Sequence, residues 1–478
     1  MTTVANMHVE MSKYENELLK EVKSNPHDPI SLGGLANFIS LDVGRKEEAV
    51  EMFERTLTAC HVGRNFLTPV EEKWKLCYTV FSSLFATFLM NHDGAHLGKG
   101  WIDKAEGLYQ RALELYPEHP LATGDYAVFV HRIKKNYKEA ERLYERALEI
   151  HPNHASIWSK YGNFLKSIKR DYKRAEFCFK EAVKADPKNP DCLSTYAVFC
   201  HGTKRDIDTA EMLYERAYDS DKTHVNNLSN YGLFLSEMKG DFHRSQKLYQ
   251  AAMEIDPNHA NSIYNYAVLC DSGLKDQTLA ESLYKQCLEV SDKHAFALYN
   301  LAILIEEMRG KTEAGKEEVD GLFRRATEAA PNDAVTLADY GRFKMIVCKD
   351  VGTSERLLRQ ALQIDPGCLV GNYNLGLLLL NHKNDMNGAA SCFRNGLKSN
   401  SGHHPSLVYL ARICAEKGDA GNAEKFFRMA LKASEGELAY DDVKREFEAW
   451  SSGKGGGLGG GGGRRGSGSG SNKRLSKG

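Results

Sequence analysis

The chain has 478 residues, 42% of them hydrophobic and 27% charged, with a formal net charge of −1. That balance excludes an intrinsically disordered chain, and the absence of any run of about 18 apolar residues excludes a membrane-spanning helix. The opening segment lacks both the apolar centre of a signal peptide and the Arg-rich, acid-poor character of a transit peptide, so the expected compartment is the cytoplasm, with the nucleus also open.

In chain order, Tyr14 to Val22 reads as a polar-faced helix closed by Asn25-Pro26, and residues 1–27 are expected to cap a repeat array that begins at residue 28. The repeat dominates residues 28–436. Ala127, Gly162, Ala197, Gly232, Ala267 and Ala302 fall 35 positions apart, each directly after a Tyr or Leu. A period of this size marks one supersecondary unit used many times, because a lone unit cannot bury its apolar face and must stack on a neighbour. Between Leu121 and His154 the parts are plain. Leu121, Tyr126, Ala127, Phe129 and Val130 mark a first helix. Ala140, Leu143, Tyr144, Ala147, Leu148 and Ile150 mark a second, which Pro152-Asn153 ends. Short side chains at Ala127 and Ala140 let the two helices approach to about 8–10 Å.

The register extends outward to Leu35-Ala36 and Phe85-Ala86, and onward to Leu375-Gly376 and Leu410-Ala411, for about eleven helix pairs. Longer hairpins are expected at 92–100 and 309–318. Leu438, Val443, Phe447 and Trp450 line one face of a final helix, so 437–450 should form the second cap. Residues 451–478 are rich in Gly and Ser, with six basic residues and no acidic one. This segment is expected to be a disordered, solubilising tail whose only contact with nucleic acid would be weak and electrostatic.

"DYAVF" with "AERLYERALEIHPNH", repeated as "YGLFL" with "SQKLYQAAMEIDPNH" and as "DYGRF" with "SERLLRQALQIDPG", resembles the tetratricopeptide repeat (TPR). The resemblance implies an all-α, right-handed α-α superhelix, a solenoid of TPR-like helix pairs. The usual unit has about 34 residues; the extra residue here is expected in the hairpin between the two helices. In such arrays the place two residues before the small residue faces the concave groove. It holds Asp125, Lys160, Thr195, Asn230, Asn265, Asn300, Asp339 and Asn374. Asn230, Asn265, Asn300 and Asn374 are therefore candidate peptide-groove residues, since an amide side chain can bond both the C=O and the N–H of an extended peptide. Tyr264, Tyr299 and Tyr373, one residue earlier, would add apolar area. The same asparagines could instead tie neighbouring helices together, and the sequence leaves both readings open.

No metal, cofactor or catalytic site is expected. The eleven cysteines show no C-x-x-C spacing. His119, His154, His224, His259, His294 and His403 recur just after the turn, one per repeat, too far apart to share an ion, and are read as turn residues bonding helix-end carbonyls. There is no phosphate loop, H-E-x-x-H or G-x-S-x-G. The positions of a chaperone carboxylate clamp hold Ser159, Asn163, Thr195, Asn226 and Asn230 without a cluster of basic residues, so clamp binding is not expected. The reading is a non-enzymatic adaptor or scaffold that holds an extended peptide or protein in its groove. The alternatives are an RNA-processing scaffold of the half-a-TPR class, resembled by Trp158-x-x-Tyr161-x-x-Phe164, and a structural component of a cytoskeletal or ciliary assembly.

Overall fold

The structure, a computed structural model, describes residues 2–40, 45–62, 70–91 and 100–453. The expected disordered tail beyond 453 and most of the long hairpin at 92–100 lie outside the described residues. Every regular element described is helical, and between helices Thr2–Ser24 and Tyr440–Ser451 stand eleven pairs, from Pro29–Ile39 with Lys46–Val62 to His404–Glu416 with Ala420–Ala433. The opening helix is longer than the predicted Tyr14 to Val22. Contacts divide the chain into two compact units, Met1–Pro257 and Asn258–Gly478.

Within each pair the two helices pack antiparallel around the small residue of the first. Size at this register is dictated by contact. A Cβ added at Gly162 would lie 2.8 Å from the Phe179 ring of the partner helix, and one at Gly376 2.6 Å from Phe393. Between repeats, aromatic side chains fill the gap. In the N-terminal unit Tyr144 stacks on Tyr161 at 5.4 Å and Tyr214 on Tyr231 at 5.5 Å. In the C-terminal unit Phe323 stacks on Tyr340 at 5.4 Å. Offset rings at this separation add to simple area burial.

The extra residue is not in a loosened hairpin. It is taken up inside the first helix as a terminal π-helical turn, at Val130–Lys134, Leu165–Lys169, Cys200–Lys204, Leu235–Lys239 and Leu269–Leu274. Each is closed by a left-handed residue, Lys135, Arg170, Arg205, Gly240 or Lys275. The reason is hydrogen bonding: a looped-out residue would strand backbone groups, whereas here the Lys135 and Asn136 N–H groups both reach the Val130 carbonyl. The second helix then starts on an Asn or Asp cap. Asn136, Asp171, Asp206, Asp241 and Asp276 each accept from the N–H three residues on.

The repeated histidines also cap, but at the opposite pole from the expected one. His119, His224, His259, His294 and His403 accept, through Nδ1, from the N–H of the third residue onward, while His154 makes no such bond. They sit at helix starts, which expose donors rather than carbonyls, so a neutral imidazole nitrogen is the fitting partner. Burial favours the neutral form at four of them, lowering the pKa of His119, His154 and His294, and that of His403 to about 4, whereas the hydrogen bond to Asp191 raises that of His224.

Candidate functional site

Within each unit, first helices of successive repeats lie side by side and present one common face. On an α-helix that face is a stripe at i, i+4, i+7 and i+11. In the repeat beginning at Ala155 the stripe is Ser156, Lys160 and Asn163, which are partly exposed, and Ser167, which is exposed. In neighbouring repeats of the N-terminal unit, the position after the small residue carries Val128, Val198 and Leu233, each partly exposed.

The asparagine register runs through this face, and the structure gives it a consistent partner. The residue three before the small one in one repeat meets the residue two before it in the next. Ser83 Oγ donates to Asp125 at 3.3 Å, and Asn230 Nδ2 donates to Ser194 Oγ at 3.4 Å. Asn300 Nδ2 donates to the Tyr264 hydroxyl at 3.1 Å, and the Tyr299 hydroxyl donates to Asp339 at 2.8 Å. Lys160 reaches back instead to Asp125, at 2.6 Å.

Exposure separates the seven predicted residues. Asn230 and Tyr373 are partly exposed; Asn265, Asn300, Asn374, Tyr264 and Tyr299 are buried, Asn300 completely. Tyr373 packs its ring against His403 and Tyr409 at 5.1 and 6.1 Å. Within the set of seven, the hydrogen bond from Asn300 brings it together with Tyr264.

Sequence reasoning passed over the hydroxyl register itself. Its signal is visible: Ser83, Ser159, Ser194 and Ser229 stand three before a small residue, as do Tyr264, Tyr299 and Tyr373. It also passed over a charge network in the C-terminal unit. Arg342 makes a bidentate bond to Glu306 at 2.9 and 2.6 Å and lies 3.5 Å from the buried Asp339 carboxylate. Burial raises the Asp339 pKa, against the opposing pull of Arg342 and the Tyr299 hydrogen bond. Burial opposes the Arg342 charge too, but its two carboxylates hold it protonated.

The cysteines offer no activated nucleophile: burial pushes Cys200 up to about 11 and Cys178, Cys192, Cys270 and Cys287 up to about 12. Among the described residues no cluster of His, Cys, Asp and Glu could hold a metal ion, and no helix is long and apolar enough to cross a membrane.

The paired helices, their 35-residue register and their capped turns find one repeat type among known families. The model of the cilia and flagella-associated protein 70 middle TPR-like domain matches residues 132–233, and the tetratricopeptide repeat model matches 95–155 and 373–437. Both models describe TPR-like helical repeats, and they support a TPR-like repeat array over the residues they match. Among solved structures, the repeat array is similar to the human IFIT1 dimer with m7Gppp-AAAA, at 16% identity and a TM-score of 0.50, covering 89% of this chain and 95% of that one. The antigen c5321 of uropathogenic Escherichia coli, which displays an SLR fold, aligns at 16% identity and a TM-score of 0.44 over 92% and 94% of the two chains. Yeast Tom70 aligns at 13% identity and a TM-score of 0.44 over 89% and 96%. At these identities the likeness is one of fold. No curated protein matches the sequence.

Proposed function

We propose that this TPR-like array is a non-enzymatic adaptor or scaffold, working in the cytoplasm or nucleus, that binds an extended peptide or protein segment along its first-helix face. The observation that supports it is the open stripe of the N-terminal unit, where Lys160, Asn163, Thr195 and Asn230 stand beside the partly exposed aliphatic side chains of Val128, Val198 and Leu233. Polar groups that can pair with a peptide backbone next to aliphatic area suit an extended ligand, whose side chains alternate and whose main chain offers donors and acceptors.

In this reading the asparagine ladder divides by exposure. Asn230 and Tyr373 are placed to touch a ligand directly. Asn265, Asn300 and Asn374, with Tyr264 and Tyr299, act from beneath by holding first helices in register. A second reading, a structural role in a ciliary or flagellar assembly, is favoured by the family model that matches 132–233, whose described domain belongs to a cilia and flagella-associated protein. The two readings share the surface and differ in the partner.

A photo-crosslinking residue placed at Val198 in the full chain, expressed in its native cell and followed by mass spectrometry, tests this. The expected result is one protein enriched at Val198 relative to the same probe at Phe177, which is exposed on a second helix. Equal capture at both positions, or capture of RNA alone, would reject the proposal; an axonemal partner would select the second reading.

A further inference from the structure

The π-helical turns of the N-terminal unit carry two sets of cations that behave differently. Lys134, Lys169 and Lys204, the last residues of three successive turns, each reach an acid of the preceding second helix: Glu106 at 2.8 Å, Glu141 at 2.8 Å and Glu176 at 3.0 Å. A second set has no such partner. Arg132, Lys135, Lys166, Arg170 and Arg205 lie on the same three hairpins and make no ion pair among the described residues. All but Lys166 are exposed, and Lys166 is partly buried, so its ammonium loses hydration with no carboxylate to offset the loss.

These cations share one field. Arg132 and Lys135 both act on His131, and Arg205 and Lys166 both act on His201, so the second hairpin's lysine lies near the third hairpin's imidazole. His131 in turn packs on Phe164, at the start of the second hairpin's turn, with ring centroids 5.4 Å apart. The three hairpins therefore form one continuous edge, and the row ends at the fourth hairpin, which carries Glu237 and Gly240 at the equivalent positions.

Backbone conformation adds a second, independent sign. Lys135, Arg170 and Arg205 hold φ of 56°, 54° and 59°, a region that costs an L-residue conformational energy and suits glycine, and Gly240 stands there in the next repeat at 66°. A cation at a helix C-terminus gains a little from the helix dipole, which by itself accounts for isolated cases such as Lys275 and Lys349. It does not account for three consecutive left-handed cations flanked by two more unpaired ones. Charged residues are thus kept at three successive positions where Gly240 shows that glycine serves the same turn.

We propose that the hairpin edge formed by Arg132, Lys135, Lys166, Arg170 and Arg205 is a docking surface for an acidic segment of a partner protein, separate from the first-helix face. Repeats stacked about 10 Å apart match every third residue of an extended chain rising about 3.3 Å per residue, so carboxylates at that spacing would meet one hairpin each.

The test uses the full chain and a fluorescein-labelled Glu-Ser-Ser repeat peptide, with oligouridylate of equal length as the comparison, read by anisotropy at low and moderate salt. The triple variant Lys135→Gly, Arg170→Gly, Arg205→Gly should lose at least about tenfold in peptide affinity and most of its salt dependence. Its melting temperature should hold or rise, since glycine relieves the left-handed strain. Lys275→Gly, which removes an equivalent charge outside the edge, should bind like the parent, and so should Val198→Glu on the first-helix face, which separates failure of this proposal from failure of the other. Unchanged peptide binding in the triple variant, an equal loss in Lys275→Gly, or tighter binding of oligouridylate than of the peptide through the same residues would overturn it.

Discussion

The same register of the first helix is partly exposed in the N-terminal unit, at Asp125, Lys160, Thr195 and Asn230, and buried in the C-terminal unit, at Asn265, Asn300, Asp339 and Asn374. Side-chain size beside it differs between the units, although Asp339 follows the small Ala338 and is covered from the preceding repeat by Tyr299. Gly124, Ser159, Ser194 and Ser229 leave the polar group open, whereas Tyr264, Tyr299 and Tyr373 bring large rings to the layer, and the hydroxyls of Tyr264 and Tyr299 cover and bond the group in the next repeat. An amide at this register is thus left open or tied between repeats according to the side chains around it, and the C-terminal unit has exchanged accessible surface for buried polar order.

The sharpest way to break that contrast is to remove the group on which the buried network closes. Arg342→Ala would leave Glu306 and Asp339 facing each other without a counter-charge, and should destabilise the C-terminal unit by about 3 kcal/mol, read as a lowered denaturant midpoint. Lys160→Ala, at the open register of the other unit, removes a partly exposed pair with Asp125 and should cost less than about 1 kcal/mol. Comparable losses would erase the distinction.

Acid should act on both units, with one opposing contribution in the first. Burial, reinforced by Arg132 and Lys135, lowers His131 to about 4, and burial with His404 lowers His403 to about 4. The unfolded chain takes up these protons near pH 6.5 and the folded chain does not, so stability is intact above about pH 6.5 and falls towards pH 4, by about 2 kcal/mol per histidine. His224 carries the opposite sign. Its bond to Asp191 at 3.0 Å raises its pKa, so its contribution is full below the unfolded value and fades as pH rises through the folded one. Melting curves of His224→Gln against His403→Gln between pH 4 and 8 should show slopes of opposite change.

The smallest expected effect sharpens the tie itself. Asn300→Ala should cost about 1 kcal/mol and couple to Tyr264→Phe in a double-mutant cycle, while Asn230→Ala, partly exposed and held by a 3.4 Å bond, should cost about half as much and show little coupling to Ser194→Ala. Equal coupling in the two pairs would mean that burial is not what separates them.

Much of the fold was legible beforehand. The small residues from Ala127 to Ala302, and the apolar sets around them, determine paired helices and their register, because only one spacing buries every apolar stripe against a neighbour. The tyrosines of the candidate site were legible as residues but not as lids. Whether Tyr264 lines a groove or covers Asn300 depends on where the next repeat's helix sits, and no local pattern encodes that distance. The same holds for the 35th residue, whose presence is plain in the sequence and whose place inside a π-turn follows from backbone hydrogen bonds closing in three dimensions. It holds too for the hairpin cations: Lys134 and Lys135 are adjacent letters, and only the packing of successive repeats gives one a carboxylate and leaves the other without one.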